Sequence, residues 1–181
     1  AAKSKGKIFL DYACGNGQYA IMVAQMDAAL SIGMDISDVS VRNAHRKSNE
    51  LGLKNTFFIQ GDCENTGLPD NSVDVILCSG MLHHLDLDFA FPELQRILKP
   101  GGVILAVEAL DYNPLIKIYR NATPSMRTEW EKNHILSMRD LKRAKKYFDI
   151  GEVRFWHLTS IAAAYLPSEP IRKMADRKSV V

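Results

Sequence analysis

Runs of apolar residues alternate with amphipathic stretches along most of this chain, and the alternation limits the possible folds more than any other feature. We predict six strands, at residues 8–12, 30–35, 56–60, 73–78, 103–108 and 150–157. Helical spacing of apolar residues lies between them, at residues 17–26, 38–51, 89–98 and 137–148. Strands that alternate with helices form a parallel sheet with helices on both faces. The sequence therefore predicts an α/β fold with a doubly wound, mainly parallel sheet.

The length and composition are those of one globular domain. The chain has 181 residues, of which 46% are hydrophobic and 24% are charged. A chain of this length can bury a single core without disulfides or a structural metal, so we expect one domain over residues 1–181. Residues 111–133 interrupt the alternation and are too long for a simple connection, which predicts an inserted lid or acceptor-binding segment. Residues 167–181 are expected to form a tail.

The cysteines and the hydropathy pattern bear on the compartment. Cys14, Cys63 and Cys78 are far apart and odd in number, which argues against a disulfide framework and against a zinc module. No apolar run approaches the roughly 20 residues that a membrane span needs. We therefore expect a cytoplasmic protein with no transmembrane segment and no metal site.

The first predicted strand ends in a glycine turn that opens a helix. Gly15 and Gly17 allow the backbone to approach a ligand closely, and the following helix presents its N-terminal amides. Gly15, Gly17 and Ala20 also fit the dinucleotide-binding fingerprint, with Asp35 at the end of the second strand, where such folds bind ribose hydroxyls. A turn that only joins a strand to a helix is the structural alternative.

Two further carboxylates help to separate these alternatives. Asp11, at the end of the first strand, would repel a pyrophosphate but suits a ligand with an ammonium group. Asp62, at the end of the third strand, can accept a hydrogen bond from an adenine amine. Together with Asp35, these carboxylates are expected to surround the crevice at the switch point of the sheet. The pattern favours a ligand with an amino-acid end and a nucleoside end.

The order and spacing of the motifs resemble those of the class I S-adenosylmethionine-dependent methyltransferases, which have a Rossmann-like fold. Residues 10–17 resemble the first motif of that family, residues 33–37 its acidic loop after strand two, and residues 61–63 its adenine-contacting motif. The similarity to the small-molecule branch, often called methyltransferase type 11, lies in residues 72–76, 82–85 and 96–102. The resemblance extends from residue 8 to about residue 157.

This resemblance implies a cofactor and a set of binding residues. The cofactor is S-adenosylmethionine and the product S-adenosylhomocysteine. The implied contacts are Asp11 with the backbone of Ala13 and Gly15 on the methionine moiety, Gly17 in the same turn, Asp35 and Ile36 on ribose and adenine, Asp62 and Cys63 on the adenine edge, and Ser79 beside the sulfonium. The family's seventh strand and the helix before its first strand have no clear counterpart in the sequence, so we expect the chain to lack both, as a fragment would.

Two adjacent histidines are candidates for a proton acceptor. The side chains of His83 and His84 must point in different directions, so at most one faces the crevice and a two-histidine metal clamp is disfavoured. A neutral imidazole can remove a proton from an acceptor hydroxyl or amine. The resemblance favours His84 as this catalytic base and leaves His83 a structural role. Catalysis by proximity alone stays open as the alternative.

The predicted function is transfer of a methyl group from S-adenosylmethionine to a small or lipid-like acceptor by direct displacement. Because a sulfonium is already an activated donor, the protein's task is mostly orientation and desolvation. One alternative is a nicotinamide-dependent oxidoreductase, and another is a cofactor-binding module without activity. Nucleic acid is a weaker acceptor candidate, because residues 78–81 lack the motifs typical of base methylation. Neither the attacked atom nor the oligomeric state follows from the sequence.

Overall fold

The computed structural model describes residues 5–111, 118, 121–123 and 135–155. Their strands are β1 (Ile8–Tyr12), β2 (Leu30–Asp35), β3 (Thr56–Gln60), β4 (Val73–Ser79) and β5 (Leu98–Val107). Their helices are α1 (Gln18–Ala24), α2 (Asp38–Glu50), a 3₁₀ helix (Leu82–His84), α3 (Leu87–Ile97) and α4 (Met138–Ala144). The chain divides into two compact units, Ala1–Ala109 with the sheet and Leu110–Val181 with α4.

The strands form one parallel sheet with the order β3-β2-β1-β4-β5. This confirms the predicted α/β fold with a doubly wound sheet. The chain runs outward from β1 in one direction through β2 and β3, and then crosses to β4 and β5 on the other side. A switch point therefore lies between β1 and β4, and open α/β sheets bind their ligands at the carboxyl ends of the strands next to such a point.

The core of the first unit follows from the apolar runs. Leu10 and Tyr12 of β1, Met34 of β2 and Ile76 of β4 are completely buried. Helices α1 and α2 cover part of the sheet with a cluster of buried side chains, namely Cys14, Ala20, Ile21, Val41, Ala44 and Phe58. Burial of β1, β2 and β4 on both faces explains their apolar runs, whereas Phe57 of β3 and Leu105 and Val107 of β5 are exposed.

Local capping sets where the helices begin. The Ser37 side chain accepts a hydrogen bond from the backbone N–H of Ser40 and caps α2. Asp86 caps α3 through the N–H of Asp88, so that this helix starts two residues before the predicted position. Ser137 caps α4.

Residues 99–102, which precede the predicted start of the fifth strand, lie inside β5 as an irregularity. Val73 is paired with Leu98, but Val75 is paired with Val103, so β5 carries extra residues between the two pairs. Gly101 has φ +74°, a conformation that glycine adopts without steric strain. Strand β5 therefore begins five residues earlier than predicted.

The predicted sixth strand at residues 150–157 is wrong over its described part, because residues 150–155 form no strand. Val153 is 41% exposed, so the apolar side of this run is not buried against a partner layer. Glu152 and Arg154 instead form an exposed ion pair with each other, with Nε and Oε1 2.8 Å apart. Residues 156 and 157 lie outside the described residues.

Several other predictions fall on parts of the chain outside this description. Of the segment 111–133, only residues 111, 118 and 121–123 are described, and the tail at 167–181 and residues 158–166 are not. The lid, the tail and the missing seventh strand therefore stay predictions. Among the described residues, no helix combines the length and the hydropathy needed to cross a membrane.

Candidate functional site

The predicted binding residues of the first unit gather at one edge of the sheet. The glycine turn follows β1, the Asp35 loop follows β2 and the Asp62 loop follows β3. Ser79 is the last residue of β4, and Glu108 comes directly after β5. Because all five strands are parallel, these segments share the carboxyl edge at which α/β sheets bind ligands.

The glycine turn has two glycines with different surroundings. A Cβ atom built on Gly17 would lie 2.6 Å from Cε1 of Phe58 and 2.7 Å from Cβ of Ala44, so only glycine fits there. A Cβ atom built on Gly15 would meet no atom within 4 Å. Gly17 therefore serves the packing of the turn, whereas Gly15 borders open space that a ligand can enter.

Asp11 is a buried carboxylate beneath this turn. The side chain is 2% exposed, and its Oδ2 accepts a hydrogen bond from the backbone N–H of Ala20 at 3.0 Å. Burial raises the pKa of Asp11 to about 6, although the hydrogen bond from Ala20 favours the charged form, and the nearby charge of Asp35 adds to the rise. A cation placed beside Asp11 would stabilise its charged form. The predicted contact with an ammonium group stays a prediction.

Asp35 joins the glycine turn to the loop that follows β2. Its Oδ2 accepts a hydrogen bond from the backbone N–H of Gly15 at 2.8 Å, and its Oδ1 accepts one from that of Ser37 at 2.9 Å. A carboxylate offers about four acceptor positions, so these two bonds leave capacity for ribose hydroxyls. Ile36, the next residue, is 74% exposed and offers an apolar surface beside this carboxylate.

The loop after β3 presents Asp62 to solvent and buries Cys63. Oδ1 of Asp62 accepts a hydrogen bond from the backbone N–H of Glu64 at 2.8 Å. The Tyr12 hydroxyl donates to the carbonyl of Cys63. Burial raises the pKa of the Cys63 thiol to about 12, and the thiol interacts with the backbone amide of Ala13. A thiol with so high a pKa is a poor nucleophile. Through its contacts with Tyr12 and Ala13, Cys63 instead holds this loop against the glycine turn.

The segment after β4 turns sharply into the 3₁₀ helix. Gly80 has φ +64°, and its backbone N–H donates to the carbonyl of Val107 at 2.8 Å. This bond places Ser79 at the end of the β4–β5 pair. His83 and His84 follow at the end of the 3₁₀ helix, with ring centroids 4.1 Å apart. The two rings therefore lie side by side, and the expectation that they point in different directions is wrong, because the tight turn brings neighbouring side chains together. The His83 side chain is 18% exposed, whereas His84 lies on the exposed side of the turn.

The sequence interpretation missed Glu108, which lies next to this turn. Its side chain is 5% exposed, and its Oε1 accepts hydrogen bonds from the backbone N–H groups of Met81 and Leu82, both at 2.8 Å. Its Oε2 lies 3.0 Å from Nδ1 of His83. Glu108 was predicted as the last residue of a strand. The missed signal was a carboxylate at the end of an apolar run, as at Asp11 and Asp35.

Comparison with known proteins identifies the family. A family model described as a methyltransferase domain matches residues 10–106, more than half of the chain. The chain is 31% identical to the sterol 24-C-methyltransferase erg6 of Aspergillus fumigatus over 125 residues, which are 68% of this chain and 32% of that protein. It is 33% identical to the ubiquinone/menaquinone biosynthesis C-methyltransferase UbiE of Pasteurella multocida over 121 residues, 64% of this chain and 45% of that one. The chain thus spans between about a third and a half of these relatives.

Solved structures agree with this result. The [4+2]-cyclase SpnF is 32% identical, with a TM-score of 0.57 over 61% of this chain and 41% of that one. A putative S-adenosylmethionine-dependent methyltransferase from Listeria monocytogenes is 26% identical, with a TM-score of 0.54 over 59% of this chain and 49% of that one. The fold, the motifs and the family model agree, and this chain belongs to the methyltransferase domain family.

Proposed function

We propose that this chain binds S-adenosylmethionine at the carboxyl edge of its sheet and transfers the methyl group to a small or lipid-like acceptor. The observation that carries the proposal is the glycine turn. Gly15 borders open space, and the buried carboxylate of Asp11 lies beneath the turn. The carboxylate of Asp35 accepts a hydrogen bond from the backbone N–H of Gly15. A ligand with a cationic amino-acid end and a ribose matches this combination of open backbone and two carboxylates.

The binding roles follow the position of each loop. Asp11 and the backbone of Ala13 and Gly15 bind the methionine moiety, and Gly17 keeps the turn in shape. The loop after β2 binds the ribose through Asp35 and flanks the adenine with Ile36. The adenine edge is bound by Asp62 and by the backbone of Cys63. Ser79 lies at the end of β4, beside the place proposed for the sulfonium.

The chemistry needs little covalent participation from the protein. When bound, S-adenosylmethionine supplies an activated methyl group on a cationic sulfur. The residues of this chain hold the ligand and the acceptor in line and exclude water, and both effects lower the barrier to methyl transfer. The proton lost by the acceptor goes to a histidine of the 3₁₀ helix, for which the sequence favours His84.

The acceptor class is supported by the relatives. The names of the two curated relatives specify carbon methylation, in one case of a sterol and in the other within ubiquinone and menaquinone biosynthesis. These compounds are lipid-like, which supports the second of the two acceptor classes, small or lipid-like, that the sequence predicts. The three cysteines at Cys14, Cys63 and Cys78 are all free and buried, which supports a reducing compartment such as the cytoplasm.

A second candidate function is a reaction other than methyl transfer on the same fold. It is favoured by the [4+2]-cyclase SpnF, which is 32% identical to this chain. Such a protein would keep the ligand-binding turn without consuming the methyl group. The two candidates differ in whether a methyl group reaches the acceptor.

The experiment uses S-adenosylmethionine that carries a trideuterated methyl group. The protein is incubated with a sterol and with demethylated quinone precursors in detergent, and the products are analysed by mass spectrometry. We expect the label in one acceptor class together with an equal amount of S-adenosylhomocysteine. Asp35→Asn should lower the yield of labelled product, because it removes the charge at the ribose and replaces one of the two oxygens that accept backbone N–H groups with an NH₂ group. Binding without any labelled product, together with unlabelled conversion of a substrate, would favour the second candidate.

A further inference from the structure

The buried carboxylate of Glu108 connects the start of the 3₁₀ helix with the side chain of His83. One oxygen of its carboxylate accepts hydrogen bonds from the backbone N–H groups of Met81 and Leu82, at the start of the 3₁₀ helix. The other oxygen lies 3.0 Å from Nδ1 of His83. With 5% exposure, the carboxylate is almost wholly protected from water. Both oxygens are thus committed to fixed partners within one turn of chain.

These contacts determine which nitrogen of His83 carries the proton. An ionised carboxylate only accepts hydrogen bonds, so the short contact with Oε2 requires a proton on Nδ1 of His83. In a neutral ring, Nε2 is then the nitrogen with the lone pair. A carboxylate that fixes the tautomer and orientation of an imidazole prepares it to accept a proton and stabilises the imidazolium that forms.

The location of the pair matches the acceptor side of the proposed site. Glu108 follows β5, and His83 follows β4. The three loops that we assign to the cofactor follow β1, β2 and β3, on the other side of the switch point. An acceptor that meets the methyl group from the β4–β5 side therefore meets the 3₁₀ helix.

We propose that His83 is the proton acceptor of the methyl transfer and that Glu108 is its positioning residue. This inference rests on the proposed function and differs from the sequence prediction, which favours His84. His84 lies on the exposed side of the turn. The half-buried ring of His83, by contrast, has its orientation fixed by a carboxylate.

The step balances as follows. The attacking atom of the acceptor forms a bond to the methyl carbon, and the carbon–sulfur bond breaks with its electron pair left on sulfur. The proton displaced from the acceptor passes to Nε2 of His83. The imidazolium shares its Nδ1 proton with Glu108 and returns the other proton to water after the product leaves.

The variant Glu108→Gln tests this pairing directly. In the glutamine side chain, only the amide oxygen can accept hydrogen bonds from the backbone N–H groups of Met81 and Leu82. The NH₂ group must therefore face His83. The NH₂ group donates to Nδ1, which moves the ring proton to Nε2 and removes the basic lone pair from that position. ¹⁵N NMR of labelled protein without cofactor should show the Nδ1–H tautomer of His83 in the wild type and the Nε2–H tautomer in the variant. Loss of the signal in His83→Gln assigns it.

Kinetics provide the second readout. General-base assistance contributes roughly 10²- to 10⁴-fold, so we expect Glu108→Gln and His83→Gln each to lower kcat by about that range. Their double variant should lose little more, because the two residues act as a unit. The affinity for S-adenosylhomocysteine should stay within about twofold. Glu64→Gln is the matched control, since that carboxylate also accepts a backbone N–H, from Asp86 at 2.7 Å.

Each outcome supports or overturns the pairing. An Nε2–H tautomer of His83 in the wild type would overturn it, even if Glu108→Gln failed to fold. A larger loss of kcat in His84→Gln than in His83→Gln would assign the role of proton acceptor to His84. A wild type that binds S-adenosylhomocysteine but methylates no acceptor would refute the proposed function, whereas the tautomer measurement would still decide the Glu108–His83 contact.

Discussion

Ala13 adopts a backbone conformation that suits glycine better than alanine. Its φ of 58° lies in the left-handed region, and it is the first of three alternate residues in the turn with positive φ. The left-handed conformation costs a residue with a Cβ atom about 1–2 kcal/mol, while glycine loses about 0.5–1 kcal/mol more entropy on folding. We therefore expect Ala13→Gly to raise the free energy of unfolding by up to about 1 kcal/mol, measured with urea.

The control for this prediction is Ala24→Gly. Ala24 lies in the last turn of α1 and is buried, so glycine there should lower the stability by about 1 kcal/mol. If Ala13→Gly proved less stable than the wild type, the left-handed conformation of Ala13 would be incorrect.

Asp11 should make both stability and ligand binding depend on pH. Burial raises its pKa from 3.8 to about 6, so between these values the folded protein holds a proton that the unfolded chain has lost. Stability therefore falls as the pH rises through this window, by about 1.4 kcal/mol per pH unit and roughly 3 kcal/mol in all. Asp11→Asn should lack this loss, so its stability relative to the wild type should be higher at pH 7 than at pH 4.

Ligand binding should show the opposite trend. An ammonium group attracts the charged carboxylate, so the affinity of the wild type for S-adenosylhomocysteine should rise as the pH passes about 6. Calorimetry at pH 5 and pH 7.5 measures this, and urea unfolding at the same pH values measures stability. The pH dependence contributed by other titrating groups is common to the wild type and Asp11→Asn, so it cancels in the difference between the two proteins. An affinity difference between the two proteins that did not change with pH would remove Asp11 from the ligand site.

At the level of residues, the sequence predicts which carboxylates reach the edge but not what each one binds. Asp11 and Asp35 follow apolar runs, and both lie where the sequence places them. Their hydrogen bonds to the backbone of Ala20 and Gly15 depend on how the turn folds over the strand ends, which no local pattern records. The role of Glu108 does not follow from the sequence for the same reason, because its hydrogen-bond partners are about 25 residues away along the chain.

At the level of elements, the two glycines of the turn provide a matched pair of tests. Gly17→Ala places a Cβ atom 2.6 Å from the Phe58 ring and 2.7 Å from Ala44, in a left-handed conformation. Overpacking of this kind costs about 1–3 kcal/mol, in addition to the backbone strain. Gly15→Ala meets no atom within 4 Å and should cost only the strain, about 1 kcal/mol.

The effects on binding should follow the reverse order. The added methyl group of Gly15→Ala points into the space proposed for the ligand, so the affinity for S-adenosylhomocysteine should fall by at least tenfold while the protein stays folded. The methyl group of Gly17→Ala points into the core, so the affinity of its folded fraction should fall less. Unfolding curves and calorimetry on both variants test this, and full affinity in Gly15→Ala would contradict a ligand at this turn.

Elements with a clear local signal were predicted well. The bounds of β1, β2 and β3 agree with the prediction because each apolar run ends in polar residues or glycine. The extra residues in β5 were not predicted, since the pairing with β4 continues through a lysine, a proline and two glycines. The sixth strand was predicted on apolar pattern alone, and residues 150–155 show that such a pattern needs a partner strand.

On the scale of the whole molecule, the segment at residues 111–133 is predicted to bind the acceptor. The backbone N–H of Asp111 donates to the carbonyl of Leu136 at 2.9 Å, so the two ends of the segment lie together. A short glycine-serine linker can therefore replace residues 112–133. We expect the shortened protein to keep its affinity for S-adenosylhomocysteine and to lose most acceptor turnover. Unchanged turnover would mean that this segment forms no part of the acceptor site.

The central claim is that the carboxyl edge of this sheet binds S-adenosylmethionine and not a dinucleotide. Titration calorimetry of the wild type with S-adenosylhomocysteine, NAD and NADP tests it most directly. We predict one site for S-adenosylhomocysteine and no binding of either dinucleotide. Loss of a charged hydrogen-bond partner in Asp35→Ala should weaken that binding by about 1–3 kcal/mol, with Ser37→Ala as the control that loosens the start of α2 but keeps the carboxylate. Binding of NAD with no binding of S-adenosylhomocysteine, or an unchanged affinity in Asp35→Ala, would contradict this account of the site.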